Sequence, residues 1–459
     1  MLKEPFDKGP ATGIVVPIVD HGLGNSAYVV DLGDGGALVV DPERDPRPYL
    51  DEIEARGLKP RFVIETHLHA DFVSGALELK AIGADLAAPA GSRLTYPHRA
   101  LHDDEEVDLG GLTLRVIATP GHTPEHVAYL LLDGSEPLAI FSGGTLTAGG
   151  AARTDLLSPD QTESLARATY RSIYNKMFRL PDDLVVYPTH GGGSFCSVGS
   201  GTERTTSIGQ EKTSNPLVAD NPDEDTFVTR LLSGYGSFPP YFLELREVNR
   251  RGVDTYGPAP PSLDKLSVTD LEKVVAKGGE VVDVRRIRAF GDGHVPGAIS
   301  NPWRSQFATW LGWLVQRDTP LVFVADEKVD RRDLVWAVLT VGFENLVGEL
   351  DGGMEAWKEA GRPVERIQVT DSALDGGHVV DVRQSSEYHA GHLPEAINLE
   401  LGAVTESTHQ IPDGPLLVHC GRGERAMTAA SVLTRAGHRD IAVLEGPPQS
   451  LGPVVTSSP

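Results

Sequence analysis

Cysteine is scarce: only Cys196 and Cys420 stand among 459 residues, in unrelated contexts. One disulfide is the most this allows, so a disulfide-stapled scaffold is excluded. Long apolar runs are also missing, with no uncharged stretch of about 18 apolar residues to cross a bilayer. Residues 1–10 carry Lys3, Glu4, Asp7 and Lys8 instead of the apolar centre of a secretion signal. These absences predict a cytoplasmic protein with reduced thiols. Basic charge is in deficit, 41 Lys and Arg against 65 Asp and Glu, a net charge of −24. Such a field repels phosphate backbones and anionic headgroups, so neither nucleic acid nor membrane is an expected partner.

What is present is ordinary globular composition, 40% hydrophobic and 23% charged, in a chain long enough for several domains. Short Val-, Ile- and Leu-rich runs at 14–19, 28–32, 37–40, 62–64, 112–117, 127–132, 138–141 and 184–187 are bounded by Gly, Pro, Asp or Asn, the mark of buried strands. Helical stretches at 47–56, 74–82 and 161–177 alternate with them and predict sandwiched α/β layers. A segment at 251–265 with Pro258, Pro260, Pro261, Gly252 and Gly257 reads as a linker. Beyond it the chain repeats: VVDVRRIRAFGDGHVPGAI at 281–299 matches VVDVRQSSEYHAGHLPEAI at 379–397. The expected organisation is a first domain over 1–250, a linker over 251–265, and two small parallel-sheet α/β domains over 266–365 and 366–459.

In the first domain a buried strand runs directly into His67, His69 and Asp71, three potential metal ligands on one turn at a strand end. His122 in TPGHT and His190 in YPTHG also lie just past apolar runs, where an α/β scaffold gathers its functional groups. His98, His102 and His126 read as ordinary surface or core histidines. HLHAD followed by PGHT and YPTHG resembles the metallo-β-lactamase superfamily, and Arg153-Thr154-Asp155 resembles a stretch of its glyoxalase II and persulfide dioxygenase branch. The resemblance implies an αββα sandwich. It departs at two places: Phe72 stands where the family has a histidine for a second metal, and Gly144 where it has a metal-bridging Asp. A mononuclear site is therefore expected. The family implies one Fe(II) held by two histidines and a carboxylate with open positions for sulfur and O₂. Without the carboxylate a neutral three-histidine set suits Zn at least as well, and a metal-free form stays open. Gly144 is expected to leave space that a restored acid could fill.

Cys196 follows His190 on a glycine-rich loop. It reads equally as a small buried core residue; against that, its glycine- and serine-rich surroundings argue for an exposed loop, and closeness to a metal histidine would favour the thiolate. Persulfide dioxygenase fusions carry a cysteine on this loop, which implies a part in handling sulfur.

In the second repeat, the buried run 416–419 leads into Cys420, Gly421, Arg422, Gly423, Glu424 and Arg425, then a helix. Such a loop wraps backbone N–H groups around a thiolate and aims a helix N-terminus at it, with Arg422 and Arg425 adding positive charge for an anionic sulfur species. This resembles the rhodanese sulfurtransferases and implies a Cys420 persulfide. In the first repeat Ala325 stands opposite Cys420 and Asp330 opposite Arg425, so that copy is expected to be a structural spacer. The whole chain reads as a persulfide dioxygenase-like domain fused to tandem rhodanese domains. It is expected to oxidise a small thiol persulfide to sulfite and to transfer sulfur to or from thiosulfate or sulfite; a homo-oligomer is compatible with this. The alternatives are a mononuclear thioester hydrolase of the glyoxalase II kind joined to a sulfurtransferase, and a metal-free binding domain beside one active rhodanese.

Overall fold

The computed structural model describes residues 2–3, 11–199, 201–374 and 376–456; the expectation for the charged N-terminal segment falls mostly outside them. The chain separates into one compact unit of residues 1–260 with 336–342 and a second of residues 261–335 with 343–459.

The first unit holds two facing sheets. One has seven strands in sequence order, Leu2–Lys3, Val15–Asp20, Asn25–Asp31, Gly36–Val40, Lys59–Ile64, Asp85–Pro89 and Arg99–Leu101. The other runs Thr206–Ser207, Val185–Pro188, Glu136–Gly143, Val127–Asp133, Thr113–Ala118 and Glu106–Asp108 across the sheet. Successive residues of a strand point to opposite faces. Thus Tyr28, Val30, Leu38 and Val40 meet Val116, Tyr129, Leu131 and Phe141 between the sheets, while Val29, Val39 and Val63 pack outward with Tyr49, Ile53 and Leu79 of helices Arg47–Ala55 and Ala76–Ala81. The second sheet's outer face is covered likewise by helices Pro159–Asn175 and Glu224–Ser233. Burial on both faces is why these strands read as continuous apolar runs rather than as alternation. All eight expected strands are present within a residue or three. Short edge strands such as Arg99–Leu101 carry too few apolar residues to announce themselves.

The second unit contains two five-stranded parallel sheets with the same strand order: Lys265–Leu266, Leu346–Leu350, Leu321–Val324, Glu280–Asp283, Ile299–Ser300, and Gln368–Thr370, Ile441–Leu444, Leu416–His419, His378–Asp381, Ile397–Asn398. The repeat extends to its ion pairs. Arg285 grips the Asp283 carboxylate with Nε at 2.9 Å and Nη2 at 2.6 Å, and Arg383 grips Asp381 at the same two distances. Each guanidinium also donates to a glycine carbonyl, Gly293 or Gly391, at the end of the next short helix. Among the described residues no helix is long and apolar enough to cross a membrane.

Removing one partner of such a buried pair leaves an uncompensated charge. Asp283→Ala should therefore lower stability by about 3 kcal/mol in urea unfolding of the full chain; a loss under about 1 kcal/mol would mean that Arg285 finds another acceptor.

Candidate metal centre and sulfur-transfer loop

His67, His69, His122 and His190 are all buried, and they converge. The ligand nitrogens of His67, His69 and His190 lie within 4.8 Å of one another, as do those of His122 and His190 with the Cys196 sulfur. The outer nitrogen of each ring is already committed. The Thr66 hydroxyl donates to Asp41 at 2.7 Å, so it accepts from His67 Nδ1–H at 2.8 Å. His69 Nε2–H donates to Glu65 at 2.8 Å and His122 Nδ1–H to the Arg153 carbonyl at 2.6 Å. Asn25 Nδ2 donates to Asp71 at 2.8 Å, which turns its oxygen toward His190 Nδ1–H at 3.0 Å. These bonds fix tautomers and leave the inner nitrogens bare.

The inner atoms have nothing else to do. His69 Nδ1, His122 Nε2 and Asp71 Oδ1 are buried with no hydrogen-bond partner among the described residues. His67 Nε2 and His190 Nε2 face each other at 3.3 Å, two lone pairs with no donor between them. Buried polar atoms are normally satisfied, and a cation is the group that satisfies several lone pairs at once. Burial opposes charge on His69, but Asp41 and Glu65 outweigh it and push the group up to about 10, so that a metal cation would bind Nδ1 by displacing its proton. Burial pushes His67 and His122 well below the usual histidine range, which keeps both rings neutral and able to ligate.

Sequence reasoning missed the supports. Asp41, at φ 49°, accepts from the Thr66 backbone at 2.6 Å and from the Thr66 and Thr189 hydroxyls, joining two loops beneath the histidines. Arg153 orders a third. Its guanidinium pairs with Asp155 at 2.7 and 2.8 Å, donates to the Phe195 and Gly236 carbonyls, and lies over the Phe238 ring, while its backbone N–H donates to Cys196 O at 2.7 Å. His126 is not a metal-facing ring. Its Nε2 accepts from Gly144 N–H at 2.9 Å and so pins the glycine turn.

In the second unit, strand Leu416–His419 delivers Cys420 to the start of helix Glu424–Arg435. Cys420 Sγ accepts from Gly423 N–H at 3.1 Å, a wrap that Gly423 permits by its φ of 106°. Arg425 is not free to meet an anion as expected: Nη1 and Nη2 are held by Glu387 at 2.6 and 2.9 Å. Arg422 is exposed beside the loop, and Gly421 keeps its backbone uncrowded. In the first repeat the strand ends at Val324, Ala325 takes the cysteine's place, and the helix starts only at Arg331.

Residues 21–190 match the metallo-beta-lactamase superfamily. Residues 267–360 and 368–447 each match the rhodanese-like domain. The chain is a metallo-β-lactamase domain followed by tandem rhodanese-like domains. It is 38% identical over 159 residues to hydroxyacylglutathione hydrolase of Methylobacillus flagellatus, covering 34% of this chain and 58% of that one. It is 30% identical over 183 residues to "Persulfide dioxygenase ETHE1, mitochondrial" of Homo sapiens, covering 39% and 65%. The chain thus spans about half to two thirds of the length of the curated relatives it matches. A crystal structure of a metallo-beta-lactamase from Staphylococcus aureus superposes with a TM-score of 0.65 at 26% identity, covering 72% of this chain and 97% of that one, more of this chain than its first unit contains.

Within the metallo-β-lactamase domain three expectations change or sharpen. Phe72 leaves no hole: its ring stacks on His69 with centroids 4.2 Å apart and steadies that imidazole. Cys196 is fully buried, not exposed. Burial, reinforced by the Asp71 carboxylate, pushes its thiol well up, so a resting thiolate is not favoured. The glycines around it serve close packing instead of exposure: a side chain at Gly192 would meet the Gly201 carbonyl, and one at Gly24 the backbone of Ser194. Nor does Gly144 leave space, since a Cβ there would stand 2.8 Å from Ala152 Cβ and 2.9 Å from the His122 ring. Gly144→Asp should therefore displace His122 and lower bound metal, measured by anaerobic metal analysis; tighter iron binding would show that the turn opens to admit the acid.

Proposed function

We propose that the metallo-β-lactamase domain is a mononuclear persulfide dioxygenase that converts a low-molecular-weight thiol persulfide to sulfite, and that Cys420 carries out sulfur transfer in the same sulfide-handling chain. The observation that carries the first half is the ligand set: bare histidine nitrogens that converge, a carboxylate and a thiol beside them, and Phe72 and Gly144 at the two places where the family resemblance implies ligands of a second ion. The alternative, a mononuclear thioester hydrolase of the glyoxalase II kind, would use the same ligands to activate one water; anaerobic metal analysis separates the two, iron favouring the dioxygenase and zinc the hydrolase. The proposed ion is ferrous, and His67, His69, His122 and His190 would supply its ligands, with Asp71 beside His190. When bound, it supplies open coordination positions where persulfide sulfur and O₂ meet.

The protein's own groups prepare that pocket. Asp41, Glu65, Asn25 and the Arg153 carbonyl keep each imidazole in the ligating tautomer. Burial of the rings excludes bulk water from a reactive sulfur. At the second site, the Cys420 thiolate attacks the outer sulfur of thiosulfate, and the S–S electron pair leaves with sulfite. The outer sulfur of the resulting persulfide then passes to a second thiophile, which regenerates the thiolate. Gly423 N–H and the helix N-terminus stabilise the sulfur anion in both directions.

Cys420→Ser should abolish thiosulfate:cyanide sulfurtransferase activity while metal content and persulfide-dependent O₂ uptake stay at parental levels; more than a trace of transfer activity would remove Cys420 from the reaction. His67→Ala and His122→Ala should each lower bound metal and stop O₂ uptake with a thiol persulfide, with sulfurtransferase activity unchanged. Oxygen-electrode traces equal to the parent's would sink the dioxygenase reading.

A further inference from the structure

The cysteine-less repeat does more than the expected spacing. Arg304 follows strand Ile299–Ser300 in a segment fixed on both sides, by Trp303 N–H donating to the Val284 carbonyl at 2.9 Å and Phe307 N–H donating to the Arg304 carbonyl at 3.0 Å. Its guanidinium reaches the other repeat. The nearest carboxylate is Glu424, at 4.0 Å from Nη1, too far for a hydrogen bond. Nε and Nη2 are buried and have no acceptor among the described residues. The charged groups that act on it most strongly are Glu424, Cys420, Arg425 and Arg422, all in the catalytic loop.

A half-buried guanidinium with two buried, idle donors is costly. A ligand that brings oxygen acceptors would recover those hydrogen bonds, as charge-assisted and possible in pairs. The loop's own arginines do not fill this need, since Arg425 is held by Glu387 and Arg422 lies exposed. Resting on the sulfurtransferase reading of Cys420, we infer that Arg304 of the cysteine-less repeat binds the anionic oxygens of the sulfur donor, so that the active site is a composite of both repeats suited to a small sulfur oxyanion such as thiosulfate. Thiosulfate then docks with its outer sulfur at Cys420 and its sulfonate at Arg304, and sulfite departs from that contact. Glu424 competes for the same guanidinium.

The test is thiosulfate:cyanide kinetics on the full chain with Arg304→Gln, Arg304→Lys and Glu424→Gln. Arg304→Gln should raise KM for thiosulfate about tenfold or more, with KM for cyanide unchanged and kcat little altered. Arg304→Lys should recover part of that loss, and Glu424→Gln, which removes the nearest negative charge beside the guanidinium, should lower the thiosulfate KM below the parent's. A general folding defect would not split the two substrates in this way. A thiosulfate KM unchanged in Arg304→Gln overturns the inference. Should that variant not fold, an unchanged KM in Glu424→Gln overturns it instead. A parent chain without any transfer activity overturns the reading beneath it and this inference with it.

Discussion

Imidazole is a metal ligand only through a bare nitrogen, and burying four imidazoles together is stable only if each ring's other nitrogen has a partner. Everything around the centre of the first domain serves that condition. Asp41 works through Thr66 on His67, Glu65 acts on His69, Arg153 O on His122, and Asn25 on His190. The rings themselves follow strands of both sheets, His67 and His69 after Lys59–Ile64, His122 after Thr113–Ala118 and His190 after Val185–Pro188, which makes the sandwich itself part of the site. Removing one support would free a ring to flip its tautomer and present a proton where a lone pair is needed.

Phe72 and Gly144, which depart from the family pattern, are compatible with an intact fold. Phe72 turns a ligand position into a stacking surface for His69, and the glycine turn at 143–144 packs directly on His122 and His126. The proposed single ion would stand beside the buried Cys196 thiol, a setting that suits the proposed sulfur chemistry. The tandem repeats follow a related logic. Both keep the buried Asp–Arg pair that holds the loop after the second strand, and only the second carries a cysteine at the strand end. The first repeat has Ala325 there and a later helix start, yet keeps the segment whose Arg304 approaches Glu424 of its neighbour.

The parts of this account legible in the sequence are those whose chemistry is local. His67 and His69 lie two apart at a strand end, and Cys420 to Arg425 form one continuous loop. Strands buried on both faces announce themselves by composition. What could not be read depends on contacts between distant segments, such as Asn25 with His190 or Arg153 with the Cys196 loop. Glycine misled twice for one reason: a glycine marks either free space and exposure or a place where nothing larger fits. At Gly144 and around Cys196 it marks the second, and only the packing reveals which. Arg425 read as free charge because Glu387 stands far from it in sequence.

The central claim is that the first domain is built for one metal ion held by neutral imidazoles and devoted to persulfide oxidation. Anaerobic reconstitution of the full chain, with metal content measured per chain and O₂ uptake followed on adding a thiol persulfide, tests it most directly. The account predicts one iron per chain and uptake that tracks iron content; two ions per chain, or uptake independent of iron, would contradict it.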